Sequence, residues 1–185
     1  MKIAPLMSAL FLALLLPLAT QANEATMESL LAKLEASHWV AEGPQHPKRV
    51  AYVFTDMACP YCATLWENMQ PMVNDPANTL QVRHIIVGLI HPKRSFTQGA
   101  AVLAAANPAD ALARHERLFK QGGISPLEPV PTAVRSQIHN NTGLMIGLGL
   151  GATPTLVFQD SQGQWRVAPG VLGEEALREA VFQLQ

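Results

Sequence analysis

At 185 residues and 49% hydrophobic, the chain has enough apolar material for one domain with a sizeable core. Its 13 basic and 14 acidic residues leave a formal net charge of -1. They form neither a basic tract nor an acidic tail, which argues against nucleic acid or a charged membrane surface as a partner.

Residues 1–22, MKIAPLMSALFLALLLPLATQA, have the layout of a secretory signal peptide. Lys2 is the positive start, Leu6 to Leu18 the apolar stretch, and Thr20-Gln21-Ala22 the small-residue cleavage site. An uncleaved anchor is the competing reading. Pro17 interrupts the apolar run, which also falls short of the roughly 20 residues a spanning helix needs. Cleavage after Ala22 and export are therefore expected, into an oxidising compartment such as a bacterial periplasm.

Met27, Leu30, Leu31 and Leu34 form the apolar stripe of a short helix, and Gly43 to Pro47 reads as a connector, so residues 23–48 are expected to lead into the domain. RVAYVFT (Arg49 to Thr55) predicts a buried strand. Pro60 to Gln70 predicts a helix with Cys62, Leu65, Trp66 and Met69 on its core face, ended by Pro71 and Asn74-Asp75-Pro76. LQVRHIIVGLI (Leu80 to Ile90) predicts a second strand.

An Ala-rich helical region follows. Asn107-Pro108-Ala109-Asp110 supplies an N-cap, a first-position proline and an acid in the first turn, and Gly122 supplies a C-terminal cap. Another helix is expected over Thr132 to Leu148. TLVFQ (Thr155 to Gln159) and QWRVA (Gln164 to Ala168) flank DSQG as a hairpin, and Glu174 to Leu184 predicts a closing helix. This order fits an α/β, thioredoxin-like fold over residues 49–185, with a helical insertion at about 93–150.

The only two cysteines stand in FTDMACPYC, as Cys59-Pro60-Tyr61-Cys62. A structural disulfide across so short a loop would stabilise by about 2 kcal/mol, against about 4.7 for a loop of a hundred residues. A structural zinc site would need a second ligand pair, and the six histidines offer no close partner at the required spacing, so no metal is expected. Redox exchange remains. At a strand-to-helix junction the Cys59 sulfur meets the free N–H groups and positive dipole end of the helix, which favour the thiolate. That thiolate attacks a disulfide sulfur, and Cys62, on the buried stripe, resolves the mixed disulfide. Pro60 and Tyr61 fix the turn. Asp56 stands where it would cap or hydrogen-bond that turn, a structural role. Thr153-Pro154, just ahead of a strand, is placed for a cis proline facing the dithiol and pairing with an extended substrate; an ordinary turn proline is the bland alternative.

Other features invite weaker readings. Gly147 to Gly151 lacks the flanking strand and helix of a nucleotide loop, and the sequon Asn140-Asn141-Thr142 falls in an expected helix. His84 and His91 are read as structural.

FTDMACPYCATLW, HIIVGLI with the Ala-rich helix after it, and GATPTLVF resemble the catalytic domain of the DsbC/DsbG family of periplasmic thiol:disulfide interchange proteins, on its DsbG side. The likeness runs from about Trp39 to the C-terminus. It implies disulfide isomerisation or reduction in exported proteins, without a cofactor, with a dithiol kept reduced by a membrane partner resembling DsbD. It also implies rescue of sulfenylated cysteines. Family members carry an N-terminal dimerisation domain. The short stretch from Asn23 to Lys48 leads us to expect a monomer or an atypical dimer here. An unshielded dithiol could instead serve as a disulfide donor recharged by a partner resembling DsbB. A chaperone-like binding module with an incidental CxxC is the reading of another class.

Overall fold

The computed structural model describes residues 27–184, so the expected signal peptide lies outside the described residues. The chain divides after Ala36. Before that point lies helix α1, residues 27–35, which carries the predicted Met27/Leu30/Leu31/Leu34 stripe. Among the described residues no helix is long and apolar enough to cross a membrane.

From Ser37 onward the elements are β1 (Trp39–Glu42), β2 (Arg49–Asp56), α2 (Pro60–Val73), β3 (Leu80–Val87), α3 (Arg94–Leu103), α4 (Pro108–Arg117), α5 (Thr132–Gly147), β4 (Thr155–Gln159), β5 (Trp165–Pro169) and α6 (Glu174–Ala176), which runs into a wider π turn over Leu177–Phe182. The five strands lie in the order β1-β3-β2-β4-β5. Strands β2 and β3 are parallel, joined by α2 as the crossover, and every other pairing is antiparallel. The central strand β2 therefore ends, at Asp56, in the middle of the sheet.

Two apolar clusters hold this frame. Ala51, Val53, Leu80 and Val82 of the central strands meet Leu65, Met69 and Met72 of α2 and Leu177, Val181 and Phe182 of the C-terminal turn. Val40, Met57 and Ile86 meet Val102, Ala111, Leu112 and Ile124 of the helical block. The second cluster fastens the inserted helices to the residue just ahead of the CPYC turn.

Four boundaries differ from expectation, each for a physical reason. Residues 39–42, assigned no element within the expected lead-in of residues 23–48, form β1, because Trp39 to Glu42 find antiparallel partners in Ile85 to Val82. Pro71 does not end α2, which continues to Val73 with Asn74 as its cap. Met69 and Met72, fully buried on either side of it, hold the chain helical although the proline supplies no N–H. Strand β3 stops at Val87 rather than Ile90 because side chains take the next backbone donors: Gly88 N–H donates to Thr142, and Leu89 and Ile90 N–H donate to Asp56. The closing helix has only one α turn before it widens. The wider turn brings Leu177, Val181 and Phe182 into one cluster, and the Arg49 guanidinium donates to the Val181 and Phe182 carbonyls at its end.

Candidate active site

Asp56 builds the turn that presents the dithiol. Its backbone carbonyl accepts the Cys59 N–H at 3.0 Å, and its carboxylate Oδ1 accepts the Ala58 N–H at 2.8 Å. The other carboxylate oxygen accepts the N–H groups of Leu89 and Ile90 at 2.7 and 2.9 Å. One buried carboxylate thus ties the active-site turn to the loop after β3. The helix cap is Cys59 itself, in extended backbone, followed by Pro60 at the first helical position.

Both cysteines are free thiols and both are covered, Cys59 at 1% and Cys62 at 3% exposure. The amphipathic pattern marks only Cys62 as buried, so burial does not distinguish them; hydrogen bonding does. The Cys62 thiol first, then Thr153 and the backbone N–H groups of Cys62 and Tyr61, pull the Cys59 pKa down to about 6 against the opposing effect of burial. Burial pushes the Cys62 thiol well above its ordinary range, and the adjacent Cys59 sulfur adds to the rise. At neutral pH the pair is one thiolate and one thiol. Tyr61, by contrast, is 65% exposed, alongside exposed Pro60.

The Thr153–Pro154 peptide is cis and stands against the dithiol, with the Thr153 carbonyl oxygen 3.3 Å from the Cys59 sulfur. Thr155 ties this loop to β4 by donating its hydroxyl to the Ala152 carbonyl at 2.6 Å. The Gly170 N–H donates to the Pro154 carbonyl, so the end of β5 braces the same corner. Cys59, Cys62, Thr153 and Pro154 therefore meet in one place, with Asp56, Pro60 and Tyr61 in the turn that carries the sulfurs.

Sequence reasoning missed the groups supplied by the inserted block and by β1. His115, fully buried on α4, has its Nε2 2.9 Å from the Met57 carbonyl, and its Nδ1 receives the Ile124 N–H. Its neighbour Glu116 is 3% exposed. Glu42 of β1 accepts the Trp66 indole N–H and lies 2.8 Å from His84 Nε2. His84 is thus structural, as read, and His91 caps the first turn of α3 by accepting the Arg94 N–H. An acid among basic residues near a helix end was the one local signal for Glu116, in Arg114-His115-Glu116-Arg117, and it reads as a solvated face.

A covered CPYC dithiol at a helix N-terminus, against a cis proline at the head of β4, defines a thioredoxin-like protein. A family model for the thioredoxin-like domain matches residues 40–185, and the chain belongs to that family. It is DsbG-like: it shares 38% identity over 147 residues with the thiol:disulfide interchange protein DsbG of Pseudomonas aeruginosa, covering 80% of this chain and 56% of that protein. With DsbG of Escherichia coli K12 it shares 29% over 145 residues, covering 78% and 57%. The chain thus spans little more than half the length of these curated relatives. A solved periplasmic thioredoxin-like protein from Salmonella enterica serovar Typhimurium superposes with a TM-score of 0.65 at 22% identity, over 81% of this chain and 92% of that one.

Proposed function

We propose that the chain is an exported thiol:disulfide oxidoreductase that acts on disulfides of other exported proteins, as an isomerase or reductase, in the periplasm. The opposed ionisation of two neighbouring thiols, beside the Thr153 carbonyl, carries this reading. Cys59 thiolate attacks a substrate disulfide and forms a mixed disulfide. Cys62 then attacks the Cys59 sulfur and frees the substrate. Thr153 and Pro154 position the substrate chain, and exposed Tyr61, Leu89 and Ile90 give the rim apolar surface for an unfolded segment. The same thiolate reduces a sulfenylated cysteine by displacing water from it. A membrane partner resembling DsbD would return the dithiol to the reduced state.

One observation favours the opposite direction. A stabilised Cys59 thiolate stabilises the reduced protein, and so makes its disulfide a stronger oxidant. In that case a partner resembling DsbB would recharge it. Two experiments decide. A Cys62→Ser variant should accumulate mixed disulfides with exported proteins, while Cys59→Ala should accumulate none; unchanged function in Cys59→Ala would leave a binding module. Acid quenching in the native compartment, with mass-tagging of free thiols, reads the resting state. Mostly reduced protein supports isomerase or reductase work, and mostly oxidised protein a disulfide donor.

A further inference from the structure

Beyond Leu89 and Ile90 the apolar rim of the dithiol gives way to a groove dominated by one charge. Two cavities, of about 490 and 280 Å³, run along the inserted helices and are joined through Lys93, Thr97 and Glu128, which line both. Resting on the exchange reading above, we propose that this groove is a substrate subsite for acidic residues. It holds an extended segment of an exported protein whose aspartate or glutamate side chains lie a few residues from the cysteine under attack.

Position carries the first half of the inference. The Asp56 carboxylate that accepts the Ala58 N–H in the active-site turn also accepts those of Leu89 and Ile90. Lys93 follows Ile90 by three residues, a span of at most about 11 Å. Phe96, which lines the larger cavity, packs on the same loop: a Cβ placed on Gly88 would stand 3.1 Å from its ring. A chain leaving the Cys59 and Thr153 corner across Leu89 and Ile90 therefore enters the groove next. At about 3.3 Å per extended residue, the groove receives side chains roughly three to six residues from the cysteine.

Charge carries the second half. Lys93, Arg94 and the α5 residue Arg135 line the two cavities, together with the imidazoles of His91 and His139. Among the described residues that line them, Glu128 is the one carboxylate. It lies 3.1 Å from Lys93, and the two side chains are 48% and 75% exposed, so the pair is a weak link that an incoming carboxylate can share. Arg94 is turned to Gln98 and to the Phe119 ring. Arg135 has no carboxylate partner among the described residues. Its guanidinium lies 5.4 Å from the centre of the Phe96 ring, which holds it in place without neutralising it. One loosely paired cation and one unpaired cation thus stand ready for a carboxylate, to which each offers charge and N–H donors. A lysine-rich segment would meet repulsion at the same two points, so the groove discriminates in both directions.

The test uses the reduced, purified chain and disulfide-linked dimers of a one-cysteine peptide with aspartate, serine or lysine on both flanks at those distances. Each rate of reduction is divided by that of dithiothreitol on the same dimer, which removes the effect of the flanks on the sulfur itself. At low salt the aspartate dimer should be reduced about three- to tenfold faster than the serine dimer, and the lysine dimer more slowly. The advantage should shrink as salt rises. Lys93→Glu and Arg135→Glu should each reverse the order while leaving the serine dimer within about twofold of its rate with the unaltered chain. Arg114→Glu makes an equal charge change in a separate cavity, beside Asn107 and Asp110, and should keep the order. Three equal relative rates overturn the subsite while leaving exchange intact. So does a preference that survives Lys93→Glu and Arg135→Glu, or that Arg114→Glu removes as fully as they do. If the folded chain reduces none of the dimers, the exchange reading falls and the subsite with it.

Discussion

The Cys59 sulfur and the Thr153 carbonyl oxygen lie 3.3 Å apart, although 94 residues separate them in the chain. The contact exists because β4 pairs antiparallel with β2, Phe54 opposite Thr155, which brings the residues after β2 and before β4 to the same end of the sheet. Everything chemically special about Cys59 is assembled there, from a helix N-terminus on one side and a strand entry on the other.

The first prediction concerns the ionisation of Cys59. Its pKa of about 6 rests first on the Cys62 thiol. Alkylation of the reduced protein should rise through a midpoint near that value and then level off. In Cys62→Ala the largest stabilising contact is gone, and the midpoint should move upward. The pH dependence of thiolate absorbance or of alkylation rate measures both. A midpoint unmoved in Cys62→Ala would assign the depression to Thr153 and the helix end.

A second prediction follows from the Asp56 clamp. Its carboxylate accepts three backbone N–H groups, from Ala58, Leu89 and Ile90, in a buried setting. Hydrogen bonds to a charged acceptor contribute about 1.5–3 kcal/mol each, and stranded buried donors add a penalty. Asp56→Ala should cost roughly 3 kcal/mol or more in urea unfolding. Amide exchange at Leu89 and Ile90 should accelerate in the same variant, a change that a loss confined to the CPYC turn would not produce.

Those three bonds also mark where sequence reasoning stops. Local signals were legible: the CPYC junction, the Asn107 cap with its side chain on the Asp110 N–H, the DSQG hairpin and the Thr153-Pro154 corner all announce themselves within a few residues. What decides the end of β3 is a carboxylate 33 residues earlier in the chain, which no window around Leu89 contains. Strand β1 is equally silent, since four residues acquire a strand identity only from their partners in β3. Glu42 is placed by that pairing, and His115 and Glu116 by the packing of α4 on the sheet, so their chemistry is a property of the folded chain rather than of any segment.

Packing around His115 gives a third prediction. Gly122 and Gly123 both have positive φ, of 103° and 75°, so a side chain is strained at either. They differ in space: a Cβ on Gly122 meets nothing within 4 Å, whereas one on Gly123 would stand 2.5 Å from the His115 ring. Gly123→Ala should therefore be the more destabilising substitution, by about 1–3 kcal/mol, the usual range for overpacking. Because His115 is bonded to the Met57 carbonyl, the excess should be accompanied by altered Cys59 alkylation, which Gly122→Ala should leave unchanged.

The last prediction is the pH profile of stability, in which His115 and Glu116 act with opposite sign. Burial lowers the His115 pKa from 6.5 to about 4. The unfolded chain therefore protonates first on acidification, and the contribution of neutral His115, roughly 3 kcal/mol, is present above pH 6.5 and lost as the pH falls toward 4. Glu116 is raised from 4.5 to about 8, chiefly by burial. Here the folded chain keeps its proton longer, so the contribution is present below pH 4.5 and lost as the pH rises toward 8. Between 4.5 and 6.5 the two trends oppose each other. Above about 6 the Cys59 thiol, lowered from 9.0, adds a gain as the pH rises, because the unfolded thiol keeps its proton. Up to pH 8 this gain opposes the loss from Glu116. Urea midpoints of the reduced protein should thus change little between pH 6.5 and 8. In Glu116→Gln the opposing loss is gone, so the midpoints should rise across that window on the Cys59 thiolate, with a limiting slope of about 1.4 kcal/mol per pH unit for one proton. A Glu116→Gln profile parallel to that of the unaltered protein at every pH would mean that Glu116 titrates alike in the folded and unfolded chains.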